Sequence, residues 1–113
     1  MGAPMIEAIV GSEGAERVLL FLAARDEGYA SEIADQWQMD VSTVQSQLKR
    51  MERDGLLVSS TQGRTRIYRF NPRFAFKDEV EALLNKALIM LPDSVKETLL
   101  LDRRRPRRTG KPL

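Results

Sequence analysis

Apolar residues recur at helical spacing in six places along this chain, and near the middle they give way to two short β-prone runs. Ile6, Ile9 and Val10 predict a short leading helix before Gly11, with little to bury by itself. Ser12 stands at an N-cap position ahead of a helix over 13–26, where Val18, Leu19, Leu20, Phe21 and Leu22 form an unbroken apolar run. Ser31 is the expected cap of a shorter helix ending near Gln38, with Ile33, Ala34 and Trp37 on one face. Trp37 reads as a core residue, and Met39 as a plug closing the turn that follows. Asp40 then precedes Val41, Val44, Leu48 and Met51, whose spacing makes one buried stripe on a helix that Gly55 ends. The runs 56–60 and 65–70, joined by Thr61-Gln62-Gly63-Arg64, predict a β-hairpin with its glycine in the turn. Val80, Leu83, Leu84, Ala87, Leu88 and Leu91 predict a long amphipathic helix from about Lys77 that Pro92 stops, and a final helical turn or two carries Val95, Leu99 and Leu100.

Helix, short helix, turn, polar-faced helix and hairpin in that order predict a mainly α fold with a small β-hairpin wing. The fold class is a winged helix-turn-helix with additional N- and C-terminal helices. With 113 residues the chain has room for one domain, expected over 1–102, followed by a basic tail over 103–113 whose composition predicts disorder. The charged fraction of 30% and hydrophobic fraction of 42% are those of an ordinary globular protein.

The formal net charge of +2 conceals a segregation along the chain. Residues 1–40 hold eight acidic side chains and two arginines. Residues 41–73 hold Lys49, Arg50, Arg53, Arg64, Arg66, Arg69 and Arg73 against only Glu52 and Asp54, and the last dozen residues are again strongly basic. A polyanion would be attracted to the middle and the end. With Val44 at the centre of the buried face, about 100° per residue puts Ser42, Ser46, Lys49 and Arg53 opposite it, with Gln45 and Arg50 on the flanks. No acidic residue interrupts 41–51. Such a face suits the major groove of double-stranded DNA, where Gln45 or Gln47 can address adenine and Lys49 and Arg50 neutralise phosphate. Arg64 and Arg66 would extend the hairpin toward flanking phosphates while Tyr68 and Phe70 anchor it to the body.

Cysteine and histidine are both absent, which removes disulfides, thiolate and imidazole metal sites and most acid-base catalysis. No cofactor, metal or enzymatic activity is expected. The longest apolar run, 18–24, lies between two arginines and is too short to span a membrane, the N-terminus lacks a basic leader, and Ile6 stands where a myristoylation signal needs Ser or Thr. A cytoplasmic protein is the expectation.

The run Val41-Ser42-Thr43-Val44-Gln45-Ser46-Gln47-Leu48-Lys49, followed by Leu56-Leu57-Val58, resembles the recognition helix of ArsR-type winged-helix regulators. Gly63-Arg64-Thr65-Arg66-Ile67-Tyr68-Arg69-Phe70-Asn71-Pro72 is similar to that family's wing and its exit, so the resemblance covers roughly 13–91. It implies a homodimer reading a palindromic site as a repressor or activator of transcription, with Ser42, Thr43, Gln45, Ser46 and Lys49 at DNA-facing positions. Many members carry a basic or aromatic residue where this chain has Ser46 and Gln47, so base preference does not transfer. Metal-sensing members use cysteines or histidines that this chain lacks, which leaves the effector unknown. A dimer interface is expected over Ile6, Ile9, Val10, Val80, Leu83, Leu84, Ala87, Leu88 and Leu91, because a three-helix core and a wing offer no obvious cover for both terminal helices. The alternative reading is a protein-interaction module whose acidic first half binds a partner protein.

Overall fold

The computed structural model describes residues 6–104, and the side chains of residues 6–100. Six helices and one hairpin follow in the order α1 (Glu7–Val10), α2 (Glu13–Arg25), α3 (Ala30–Trp37), α4 (Val41–Arg53), β1 (Leu57–Gln62), β2 (Thr65–Phe70), α5 (Lys77–Ile89) and α6 (Asp93–Arg104). The basic tail lies outside the described residues from residue 105 onward. α6 is three turns long rather than one or two, and takes in Arg103 and Arg104.

The unbroken apolar run decides the architecture. A helix that is apolar on every side must be covered on every side, and Val18, Leu19, Leu20, Phe21 and Leu22 are all at most 3% exposed. α2 is therefore the central post, packed by α1, α3, α4, α5 and α6. Ser12 caps it by accepting the Ala15 N–H at 3.0 Å. It ends one residue earlier than expected, because Asp26 turns to φ 74° while its N–H still bonds Leu22.

The start of α3 differs from expectation for a tertiary reason. Gly28 and Tyr68 exchange two backbone hydrogen bonds, at 3.0 and 2.8 Å, so the chain is held strand-like up to Tyr29 and the helix begins at once behind it. Ser31 consequently sits exposed in the first turn instead of capping, and Glu32 reaches back to the Tyr29 N–H at 3.4 Å. This bridge also fastens the wing to the segment between α2 and α3.

Gln38, at φ 55°, closes α3, and the turn delivers the chain to α4. Val44, Leu48 and Met51 are buried as the spacing predicts, but Val41 is 40% exposed: as the first helical residue it projects past the core that its three companions face. Gly55, at φ 90°, turns the chain into β1. The strands pair antiparallel from Leu57 opposite Phe70 to Gln62 opposite Thr65. The turn is thus Gly63-Arg64 alone, two residues shorter than expected, with Gly63 at φ 65° in the first central position that such tight hairpins reserve for glycine. Tyr68 and Phe70 anchor the hairpin, and Ile67 is buried on the other face, so β2 is covered on both sides at that point.

Candidate nucleic-acid interface

The outward face of α4 presents Ser42, Thr43, Gln45, Ser46 and Lys49, all exposed. Ser42 hydrogen-bonds the Asp40 carboxylate just before the helix. Thr43 and Gln47 flank the start of α2: a Cβ at Gly14 would lie in ordinary contact, 3.5 Å from the Thr43 methyl and 3.7 Å from Gln47 Cγ. Gln47 is half-buried, and its carbonyl oxygen accepts a 2.6 Å bond from Arg50. Gln45, in contrast, is exposed. The bond to Gln47 fixes Arg50 along the helix flank, whereas Lys49 extends into solvent.

On the wing Arg64 and Arg66 are both exposed, Arg64 in the turn itself and Arg66 on β2. Arg66 is not a loose side chain. Its Nη1 donates to Ser59 Oγ at 2.9 Å, and the Ser59 hydroxyl in turn donates to Glu52 Oε2 in the last turns of α4 at 2.7 Å. The Tyr68 phenol lies opposite Ser59 in the ladder. Burial pushes its pKa up, the Glu52 charge adds to the rise, and Arg66 opposes it. Sequence reasoning missed this cluster, since no spacing rule pairs 52, 59 and 66 before the strand register is known.

Arg25 was also missed. Read from sequence only as the end of the apolar run, it is 7% exposed, with Nε donating to the Leu99 carbonyl at 3.1 Å and Nη2 to Gln36 at 2.8 Å. Its guanidinium stands 4.6 Å from the Phe21 ring centre and 3.8 Å from Glu32. One cation thus joins α2, α3 and α6. Trp37 packs half-buried against the core as expected, with Arg17 5.7 Å above its ring. Its indole N–H is buried and has no hydrogen-bond partner among the described residues.

The expected interface residues divide. Ile6, Leu84, Ala87 and Leu88 are buried within one chain, and Val10, Val80, Leu83 and Leu91 pack half-buried against the same core, because α2 supplies the inner partner that α1 and α5 need. Ile9 alone of the nine is fully outside, 68% exposed, in company with Phe76, Ile89 and Met90. Part of the acidic first half is engaged within the chain: Glu16 accepts the Ile6 N–H at 2.9 Å, Glu13 pairs with Arg17 at 2.7 Å, and Glu32 serves Arg25 and Tyr29. Among the described residues no cluster of three acidic, cysteine or histidine side chains could hold a metal ion, and no helix is long and apolar enough to cross a membrane.

No family model and no curated protein matches this chain. Among solved structures it is similar to the AntR antimony-specific transcriptional repressor, with a TM-score of 0.61 and 19% identity, covering 79% of this chain and 76% of that one. It is similar also to a probable transcriptional regulator from Pseudomonas aeruginosa, with a TM-score of 0.57 and 24% identity, covering 87% and 83%. A third likeness is to the MarR family transcriptional regulator SPO1453 from Silicibacter pomeroyi DSS-3, with a TM-score of 0.54 and 25% identity, covering 88% and 66%. The chain has the winged helix-turn-helix fold of these regulators, mainly helical with a two-stranded wing. The proteins it resembles are transcription regulators rather than enzymes, and the likeness does not single out the ArsR type.

Proposed function

We propose that this protein is a sequence-specific double-stranded DNA-binding regulator of transcription, acting as a homodimer and most simply as a repressor. The observation that carries the reading is that the exposed residues of the first three turns of α4 include no acid and that the exposed wing arginine Arg66 is linked to α4 through Ser59 and Glu52. Ser42, Thr43, Gln45 and Ser46 would read base edges in the major groove, Lys49 and Arg50 would meet phosphate, and Arg64 and Arg66 would reach the flanking backbone. The resemblance of α4 and the wing to ArsR-type regulators supports this, with no cysteine or histidine for metal sensing. The repressor role is supported by the described role of AntR.

A dimer would place two copies of α4 in successive major grooves. With most of the α5 stripe turned inward, the apolar side chains left for a second copy would include the exposed Ile9, Phe76, Ile89 and Met90 and the half-buried Val10, Val80, Leu83 and Leu91. Residues 1–102 would form the regulatory domain, and the basic residues after it would add attraction to phosphate without base specificity.

The test is selection of genomic DNA fragments by the purified protein, then titration of the winning sequence against scrambled DNA at two salt concentrations. A palindromic winner bound about a thousandfold more tightly than scrambled DNA is the expected result. Equal, steeply salt-dependent binding of both would overturn the proposal.

A further inference from the structure

We infer that Ser59 and Glu52 are positioning residues that hold the wing arginine Arg66 in a fixed orientation beside the recognition helix. The inference rests on the DNA-binding reading above and concerns residues that do not themselves touch DNA. Ser59 lies on β1 and Arg66 on β2, on the same face of the hairpin, and Glu52 belongs to α4. The chain of bonds runs from Arg66 Nη1 to Ser59 Oγ at 2.9 Å and from the Ser59 hydroxyl to Glu52 Oε2 at 2.7 Å. The Glu52 carboxylate draws the hydroxyl proton toward itself, so the Ser59 oxygen is left to accept from the guanidinium and has one defined orientation.

The serine between the two charges matters. A direct ion pair would occupy the guanidinium fork and neutralise it. The tether instead takes one of the five N–H donors of Arg66 and leaves the rest of an exposed guanidinium facing out. A long arginine on a hairpin otherwise loses its rotamer freedom when it meets a phosphate. Here much of that loss is met on folding. Because Glu52 lies on α4, the orientation is set relative to the helix that reads the bases, so the wing and α4 present one rigid surface.

The experiment is a double-mutant cycle on specific DNA affinity with the full chain, using the sequence won by selection. Ser59→Ala should weaken binding about three- to tenfold in the wild-type background and less than twofold in an Arg66→Ala background. Ser59→Thr and Glu52→Gln, which keep the hydroxyl and its acceptor, should retain most of the affinity. Equal losses from Ser59→Ala in both backgrounds would overturn the inference, because the serine would then act on the fold and not through Arg66. So would an undiminished affinity in Ser59→Ala. A second measurement needs no DNA: the 15N relaxation of the Arg66 Nε–H should report a rigid side chain in the wild type and a mobile one in Ser59→Ala. An Arg66 equally mobile in both overturns the tether. A wild-type protein with a rigid Arg66 and no specific DNA binding would refute the DNA-binding reading and leave the tether standing.

Discussion

Replacing Arg25 tests whether a single buried cation holds the two ends of the fold together. The guanidinium is 7% exposed and donates to the Leu99 carbonyl in α6 and to Gln36 in α3, with Phe21 stacked beneath it. Each hydrogen bond to a charged group contributes about 1.5–3 kcal/mol, the ring contact about 1 kcal/mol, and the buried stem about 0.8 kcal/mol per methylene. Against these stands the desolvation of the cation, several kcal/mol. The net loss expected for Arg25→Ala is about 2–4 kcal/mol, which for a domain of this size lowers Tm by about 10–20 °C. Arg25→Met keeps most of the stem and gives up the charge together with its hydrogen bonds, and no longer bears the cation's desolvation, so its loss should be about half as large. Unfolding followed by far-UV circular dichroism and by the emission of Trp37, the only tryptophan, measures both. An alanine variant within about 2 °C of the wild type would refute the linking role. A methionine variant more stable than the wild type would show that desolvation outweighs the bonds.

Gly28 admits no side chain, since a Cβ would lie 2.5 Å from Phe21 Cε1 and that ring is fully buried; Gly28→Ala should destabilise by about 1–3 kcal/mol, read as a lower midpoint in urea with unchanged slope. Replacing Arg64 and Arg66 together by alanine should lower the salt dependence of DNA binding by about 2 in log–log slope, and an unchanged slope would take the wing off the phosphates. Gln45→Ala should change which bases are preferred across a site library; untouched relative affinities would remove it from base reading. The raised pKa of Tyr68 means that the folded state favours the neutral phenol, so above about pH 10, the ordinary tyrosine value, the unfolded chain loses its proton first. The stability this group contributes is present below that pH and is lost as pH rises through the folded value. Tyr68→Phe should therefore lose less stability than the wild type between pH 9 and 11, the lysines and arginines cancelling in the difference, and parallel curves would contradict the assignment.

What was legible in the sequence was what local periodicity encodes. The buried stripe of α4 and the polar face opposite it follow from 3.6-residue spacing, and the hairpin follows from two β-prone runs around a glycine. What escaped depends on contacts between distant residues. Ser31 has the chemistry of a cap, but the bridge between Gly28 and Tyr68 sets where α3 begins. From the sequence the α5 stripe is expected at an interface between chains, whereas in the fold Leu84, Ala87 and Leu88 are buried within one chain where α5 packs on α2. Arg25 and Glu52 look like surface charges in a string of letters, and only the fold shows that one is buried and the other faces a serine seven residues away.

These hidden contacts share one consequence for the candidate interface. A wing on a two-stranded hairpin is marginal by itself, and its tip would wander relative to α4 if the turn after Gly55 were its only attachment. Three devices remove that freedom. Gly28 adds a strand-like edge to β2, Asn71 donates from its side chain to the Gly55 carbonyl at 2.9 Å and from its backbone to Leu56, and Glu52 and Ser59 tie the face of the hairpin to α4. One of the three acts at the base and two at the same rung partway along the strands, so Arg66, two residues beyond that rung, is held by its own side-chain bond to Ser59 while the turn carrying Arg64 extends beyond the last restraint. The two arginines should then differ in kind: Arg66 presented in one orientation, and Arg64 adapting to whichever phosphate is nearest. Alanine at 66 should reduce affinity for the preferred site more than for scrambled DNA, whereas alanine at 64 should reduce both alike. Equal effects at the two positions would mean that the restraints on the hairpin do not reach its contacts with DNA.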